Sequence, residues 1–269
     1  MAKRLKGVSL KRQEKWFLTH KKSLDNGRYI PFWRVEDIRS RGIKVKIRHF
    51  SDPDRVIHLL SINELHMYVF LAWNQNIKEV YEQFAIPLED TIRIAEDKGI
   101  KHPVYSDTRT PAIQTIDFMC VDKNNGDIAY IVKESIDLES ERTQEKLDIQ
   151  RIYCHENGIK VEEFESDDLK AVEFENLVRL YDHASIEEAL RKVFENWFSN
   201  FIGCVSDNRY ERVQMALEKS ADLTGIQYQR AASFFYHALW KCLLVWDEDQ
   251  PILLEKAISD LGIYPSERE

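Results

Sequence analysis

Apolar positions along the first two thirds of the chain switch repeatedly between two spacings. In "GIKVKIRHF", Ile43, Val45 and Ile47 alternate with Lys44, Lys46 and Arg48, a period of two that predicts a strand with one apolar face. "SDPD" at 51–54 reads as a turn, and "RVIHLL" as the returning strand. In "SINELHMYVFLAWNQN" (61–76) the spacing changes. Ser61 is a suitable N-cap, and Leu65, Val69 and Ala72 form a helical stripe. Residues 77–88 read as extended and 90–99 as a short helix stopped by Gly99. Residues 113–134 form a hairpin around Asn124-Asn125-Gly126, 140–158 a helix ending at Asn157-Gly158, and 159–164 a further strand. A helix joining one strand to the next predicts an α/β fold, a mixed sheet with helices on its faces. A basic helix over 8–24 precedes it.

The charged stretch "ESDDLKAVEFEN" (165–176) marks a boundary, dividing the chain into domains at 1–168 and 169–269. Beyond it only helical spacing recurs, over 185–198, 208–225, 229–246 and 251–262. Two helices joined at Leu223-Thr224-Gly225, followed by a "DEDQ" turn, fit a winged helix-turn-helix; a helical bundle that binds a protein partner fits equally.

Charge adds an asymmetry. The chain carries a net −8, yet its first 50 residues hold 15 Lys and Arg against 4 Asp and Glu. A basic segment on an acidic protein predicts either local contact with a polyanion or a solvated arm. The stripe of Lys44, Lys46 and Arg48 has the same two readings, a DNA-binding face along a phosphate backbone or the wet face of a hairpin. Four scattered cysteines without a C-x-x-C pair predict free thiols in a reducing cytoplasm. No apolar run is long enough to span a membrane, and the basic N-terminus lacks the apolar core of a secretory signal.

The hairpin carries the candidate chemistry. Asp117 lies inside its first strand and Lys133 near the end of its second, opposite charges in half-buried strands. They are either a structural ion pair or the carboxylate and ammonium of a metal-dependent phosphodiesterase site. Glu64 is a further oxygen ligand in reach of the sheet, but Ser61-x-x-Glu64 also reads as a capping box. No phosphate-binding glycine loop and no G-x-S-x-G stretch is present.

The stretches "GRYIPFWRVEDI", "RVIHLLSINELHMYVFLAW", "VYEQFAIPLEDTIRIAEDKGIKHP", "QTIDF" and "SERTQEKLDIQRIY" follow one another in an order that closely resembles the TnsA family, the endonuclease subunits of cut-and-paste transposons, including CRISPR-associated ones. The resemblance runs from about residue 28 to about 165. It implies a restriction-endonuclease-like first domain that nicks the 5′ strands at transposon ends with Mg²⁺, for which Mn²⁺ is expected to substitute. It also implies a separate transposase subunit and an ATP-dependent regulator met by a winged-helix-like C-terminal domain, all in the bacterial cytoplasm. The family's catalytic glutamate, aspartate and lysine fall on Glu64, Asp117 and Lys133, with the backbone carbonyl of Val132 as a further metal ligand. One departure stands out: the family places a glutamine two residues before the lysine, and this chain has Ile131. Ile131 cannot bind a cation, so the site would lean on water and on the DNA itself. A catalytically weak or inactive adaptor linking transposase to regulator is the alternative.

Overall fold

A computed structural model describes residues 7–38, 42–52, 54–133, 140–168 and 171–266. Residue 134, the end of the expected hairpin, and residue 169, the start of the expected second domain, lie outside the described residues. The chain forms two compact units, Met1–Leu169 and Lys170–Glu269.

The first unit opens with helix α1 (Leu10–Asp25), which the Ser9 side chain caps, and a small antiparallel ribbon of β1 (Val45–Arg48) and β2 (Val56–Leu59). Helix α2 (Ile62–Trp73) then leads into β3 (Ile77–Ala85), α3 (Leu88–Asp97), the hairpin β4 (Thr115–Asp122) and β5 (Asp127–Lys133), α4 (Glu141–Glu156) and β6 (Lys160–Glu165). The main sheet has the order β3-β4-β5-β6. Its first three strands are antiparallel and β5–β6 is parallel. A parallel neighbour needs a crossover, and α4 supplies it. The sheet is therefore mixed, as the alternation of spacings predicts.

Each face of this sheet is covered by a helix whose apolar stripe matches it. Tyr68 and Phe70 of α2 meet Phe118 and Phe164 on one face. On the other, Cys154 of α4 packs with Ile116, Met119 and Ala129, and α3 joins through Ile94, Ala95 and Ile149. The hairpin turn is held by the Asp122 carboxylate, which accepts the amides of Asn124 and Gly126 at 2.8 Å. Asn125 takes the left-handed conformation there.

The β1–β2 ribbon is tied to the main sheet by Arg55. Its guanidinium donates to Glu82 at 2.6 Å and to the Val80 carbonyl at 2.8 Å, and it lies over the ring of Tyr29. Glu82 is fully buried. A carboxylate at that depth needs such a partner, because its desolvation would otherwise cost several kcal/mol, on the order of the penalty typical for a buried ion.

The second unit contains α5 (Val172–Tyr181), a single 3-10 turn at Glu188–Leu190, α6 (Arg191–Asp207), α7 (Val213–Thr224) and α8 (Tyr228–Trp240), then the short antiparallel pair β7 (Leu244–Val245) and β8 (Tyr264–Pro265). Its core is aromatic: Trp197, Phe201, Phe234 and Phe235 are fully buried, and the Trp197 indole donates to Ser220 at 3.0 Å. Gly225, left-handed at φ +72°, ends α7.

Three expectations change in this unit. The boundary stretch at 165–176 already contains the start of α5. The helix expected to reach 246 stops at Trp240, and β7 follows it. Residues 251–262 form turns, not a helix. Their periodicity is helical, but their backbone is bonded elsewhere. The Leu254 and Lys256 carbonyls accept the first amides of α7. The Asn176 side chain brackets the segment, donating to the Gln250 carbonyl and accepting from the Ile252 amide. Those tertiary bonds replace the ladder that a helix would need.

Phe118 sits at the centre of the main sheet with no exposed surface. Truncating Phe118 to Ala is expected to cost about 3–5 kcal/mol, read as a lower midpoint in urea denaturation followed by circular dichroism.

Candidate active site

The site forms where β4 and β5 stop pairing. Their last paired residues are Phe118 and Tyr130. Beyond that point the Val132 amide donates instead to Asp117 Oδ2, at 2.8 Å. The Asp117 carboxylate thus takes the place of a ladder acceptor and is fixed at the end of the hairpin. Lys133 comes alongside, its Nζ 3.9 Å from Asp117 Oδ2. The Ser166 amide donates to the Lys133 carbonyl at 2.7 Å and pins that strand end.

The ion-pair reading can be weighed by distance. At 3.9 Å the two groups form no hydrogen bond, and both side chains keep about a fifth of their surface in solvent (21% for Lys133, 18% for Asp117). Such a pair stabilises a fold by about 0–1 kcal/mol. Stability is therefore a weak reason to place both charges here.

Glu64 reaches the same place from the first turn of α2. Half of the capping box forms: Ser61 Oγ accepts the Glu64 amide at 3.1 Å. The return bond goes elsewhere, because Glu64 Oε2 accepts from the Leu60 amide at 2.9 Å. A second donor to Oε2 is Gln83 Nε2, at 3.4 Å. Among the described residues nothing donates to Glu64 Oε1 or to Asp117 Oδ1. Burial, and secondly the charge of Asp117, push the Glu64 carboxyl up to about 8.

Sequence reasoning missed Gln83, which organises the site. It is buried in β3 and has φ +49°, in the left-handed region that a residue with a side chain rarely adopts. That backbone turns its amide toward the site. Nε2 meets Glu64, and Oε1 accepts from Thr115 Oγ1 at 3.0 Å. The available signal was a polar residue in the apolar run "VYEQFAIPL".

A cavity of about 490 Å³ opens beside these groups, lined by Glu64, Gln114, Val132, Lys133, Lys146 and Gln150 among others. Asp117 does not line it directly and meets it through Val132 and Lys133. Ile131, by contrast, is fully buried in the core. Among the described residues no group of three or more His, Cys, Asp or Glu converges. The oxygens on offer are two carboxylates, each with one open oxygen. Hard oxygens of this kind fit a hard divalent cation that keeps several waters.

The stripe of Lys44, Lys46 and Arg48 is arranged differently from the expected one. Lys44 lies outside β1, half buried, with Nζ donating to the Val35 and Ile38 carbonyls at 2.5 and 2.6 Å. Ile43 is the exposed neighbour, so the alternation reverses there. Lys46 pairs with Glu36. Lys44 is a tether for the 35–38 segment, and only Lys46 and Arg48 face solvent on the strand.

Residues 74–164 match the family model of the TnsA-like endonuclease N-terminal domain. That stretch is therefore similar to a TnsA-like endonuclease domain. The match includes Asp117 and Lys133 and begins after Glu64. The chain is also 35% identical over 155 residues to the transposon Tn7 transposition protein TnsA of Escherichia coli, a match covering 57% of this chain and 56% of that protein. The chain thus spans little more than half the length of this TnsA relative. No helix among the described residues is long and apolar enough to cross a membrane.

The Glu64 carboxyl, held near 8 in the fold against an ordinary value of 4.5, links stability to pH. Between those values the folded state keeps a proton that the unfolded chain has lost. Its contribution is complete below pH 4.5 and is lost as pH rises through about 8. In EDTA, wild type is expected to lose about 1–3 kcal/mol relative to Glu64→Gln between pH 5 and 9. Parallel pH profiles of Tm for the two proteins would contradict this.

Proposed function

We propose that this chain is a metal-dependent DNA endonuclease that nicks the 5′ strands at transposon ends, acting with a separate transposase and an ATP-dependent regulator. The observation that carries the reading is the meeting of Glu64, Asp117 and Lys133 from three elements at one polar cavity. The likeness to the TnsA of Escherichia coli supplies the biological setting.

In this reading Glu64, Asp117 and the Val132 carbonyl would hold Mg²⁺, with Mn²⁺ able to substitute. When bound, the ion supplies Lewis-acid polarisation of the scissile phosphate and a lower pKa for the attacking water. The remaining work belongs to the chain. Gln83 and the Leu60 amide orient Glu64, leaving Oε1 open. The Val132 amide orients Asp117, leaving Oδ1 open. Lys133 is near Asp117 without a hydrogen bond to it, so its three donors are free to orient a water and to offset charge building on the phosphate. Ile131 contributes only packing.

The second unit has three successive helices, α6 to α8, followed by a two-stranded antiparallel pair. That order supports a winged-helix-like module, and we assign it to the regulator. Lys46 and Arg48 are assigned to sequence-independent contact with the duplex backbone.

The adaptor reading rests on one observation, the burial of Ile131 where the family has a polar side chain. Strand cleavage of a labelled transposon end, with transposase and regulator present, separates the two. Wild type is expected to nick the 5′ strand in Mg²⁺ or Mn²⁺. Asp117→Ala is expected to lower the rate by about 100-fold or more. Intact 3′ joining without any 5′ nick from wild type in either metal would leave the adaptor.

A further inference from the structure

The cavity beside Glu64 and Lys133 has a second wall that the proposed reaction does not use. Thr143, Lys146, Leu147 and Gln150 all line it. They recur at three- and four-residue steps along α4, so one helix face forms this wall. Gln150 Nε2 donates to the Thr115 carbonyl at 2.8 Å, which fixes the amide and leaves Oε1 as an acceptor. That oxygen is buried and has no partner, and so is Gln114 Nε2, a donor on the neighbouring chain segment. Both glutamines are more than nine-tenths buried, 7% and 8% exposed. Leaving a buried polar atom unpaired costs about 1–3 kcal/mol. Both glutamines line this cavity, and each holds one polar atom that the fold leaves without a partner.

The charge of the wall says which partner suits them. Lys146 has no ion pair or hydrogen bond from its ammonium among the described residues. It lines both this cavity and a neighbouring one of about 450 Å³, which also takes in Lys101, His102 and Arg142. Pro103 is shared as well. The acid in that second cavity, Glu145, is spent on Arg142, at 2.5 Å. Lys146 thus stands at the junction of two basic hollows, one of which holds the proposed cleavage site.

We infer that Lys146 and Gln114 seat a second phosphodiester of the same DNA strand, beside the one placed at Glu64 and Lys133, with the strand leaving along Lys101. This deepens the nuclease reading of the cavity and rests on it. Lys146 supplies the charge, Gln114 an amide donor to a phosphate oxygen, and Gln150 an acceptor for a water on the same phosphate. These are positioning contacts that carry no base sequence.

Fluorescence anisotropy of the full chain with labelled duplexes tests this in EDTA, where hydrolysis is not read, between about 50 and 200 mM salt. Lys146→Gln is expected to weaken binding to all sequences alike and to lower the slope of log K against log salt by about 0.9, one phosphate contact. Lys146→Arg should keep the wild-type slope. Gln114→Leu should weaken binding about 10-fold or more with no change of slope, since it removes a hydrogen bond to a charged phosphate oxygen but no cation. An unchanged slope for Lys146→Gln, or no DNA binding by wild type, overturns the inference. The expected slope change in Lys146→Gln, with no nick from wild type in Mg²⁺ or Mn²⁺ when transposase and regulator are present, would sink the nuclease reading and leave the phosphate seat in place.

Discussion

Everything at the site depends on the place where the β4–β5 ladder gives out. A strand amide that loses its ladder partner must find another acceptor or carry the cost of burial. Here the acceptor is the Asp117 carboxylate, which takes the Val132 amide. One bond therefore does two things. It completes the hydrogen bonding of β5, and it holds Asp117 where one oxygen remains open beside Lys133. Replacing the pair with apolar side chains would leave that amide unsatisfied, so the sheet itself requires an acceptor at this point.

Burial then divides the two carboxylates. Asp117 stays partly in solvent, whereas Glu64 is held deep by α2 and by Gln83. That burial pushes the Glu64 carboxyl up from its ordinary value. Gln83 makes this arrangement possible at the expense of a left-handed backbone, a local strain of about 1–3 kcal/mol that the surrounding sheet must absorb. Strain of that kind at a polar cluster is typical of sites where position matters more than stability.

The basic residues show how little charge alone says about function. Lys44 looked like part of a solvent-facing stripe, and its ammonium is bound to two backbone carbonyls. Lys46 pairs with Glu36 and stays exposed. Lys146 on α4 borders two cavities. A charge count does not distinguish these cases, because the distinction lies in which partner each side chain meets.

Local spacing alone determined most of the first unit: the helices at Ile62–Trp73 and Glu141–Glu156, the hairpin through Asn124-Asn125-Gly126, and the mixed sheet that α4 implies. These elements are legible because side-chain period and turn chemistry act within a few residues. The sequence also nominated Asp117 and Lys133, as opposite charges in half-buried strands, and Glu64 near the sheet; the resemblance joined the three into one site. Only the tertiary structure decided what surrounds them. Gln83, Gln114 and Gln150 come from separate elements, and no periodicity marks them as neighbours. The 251–262 segment has a helix's pattern, yet α7 and Asn176 take its backbone bonds. Glu64 has a capping box's spacing, yet its carboxylate serves Leu60 and Gln83. At 251–262 long-range hydrogen bonds outweigh a local helix preference, and at Glu64 a long-range bond from Gln83 joins a local one from Leu60; the long-range partners are invisible until the chain has folded.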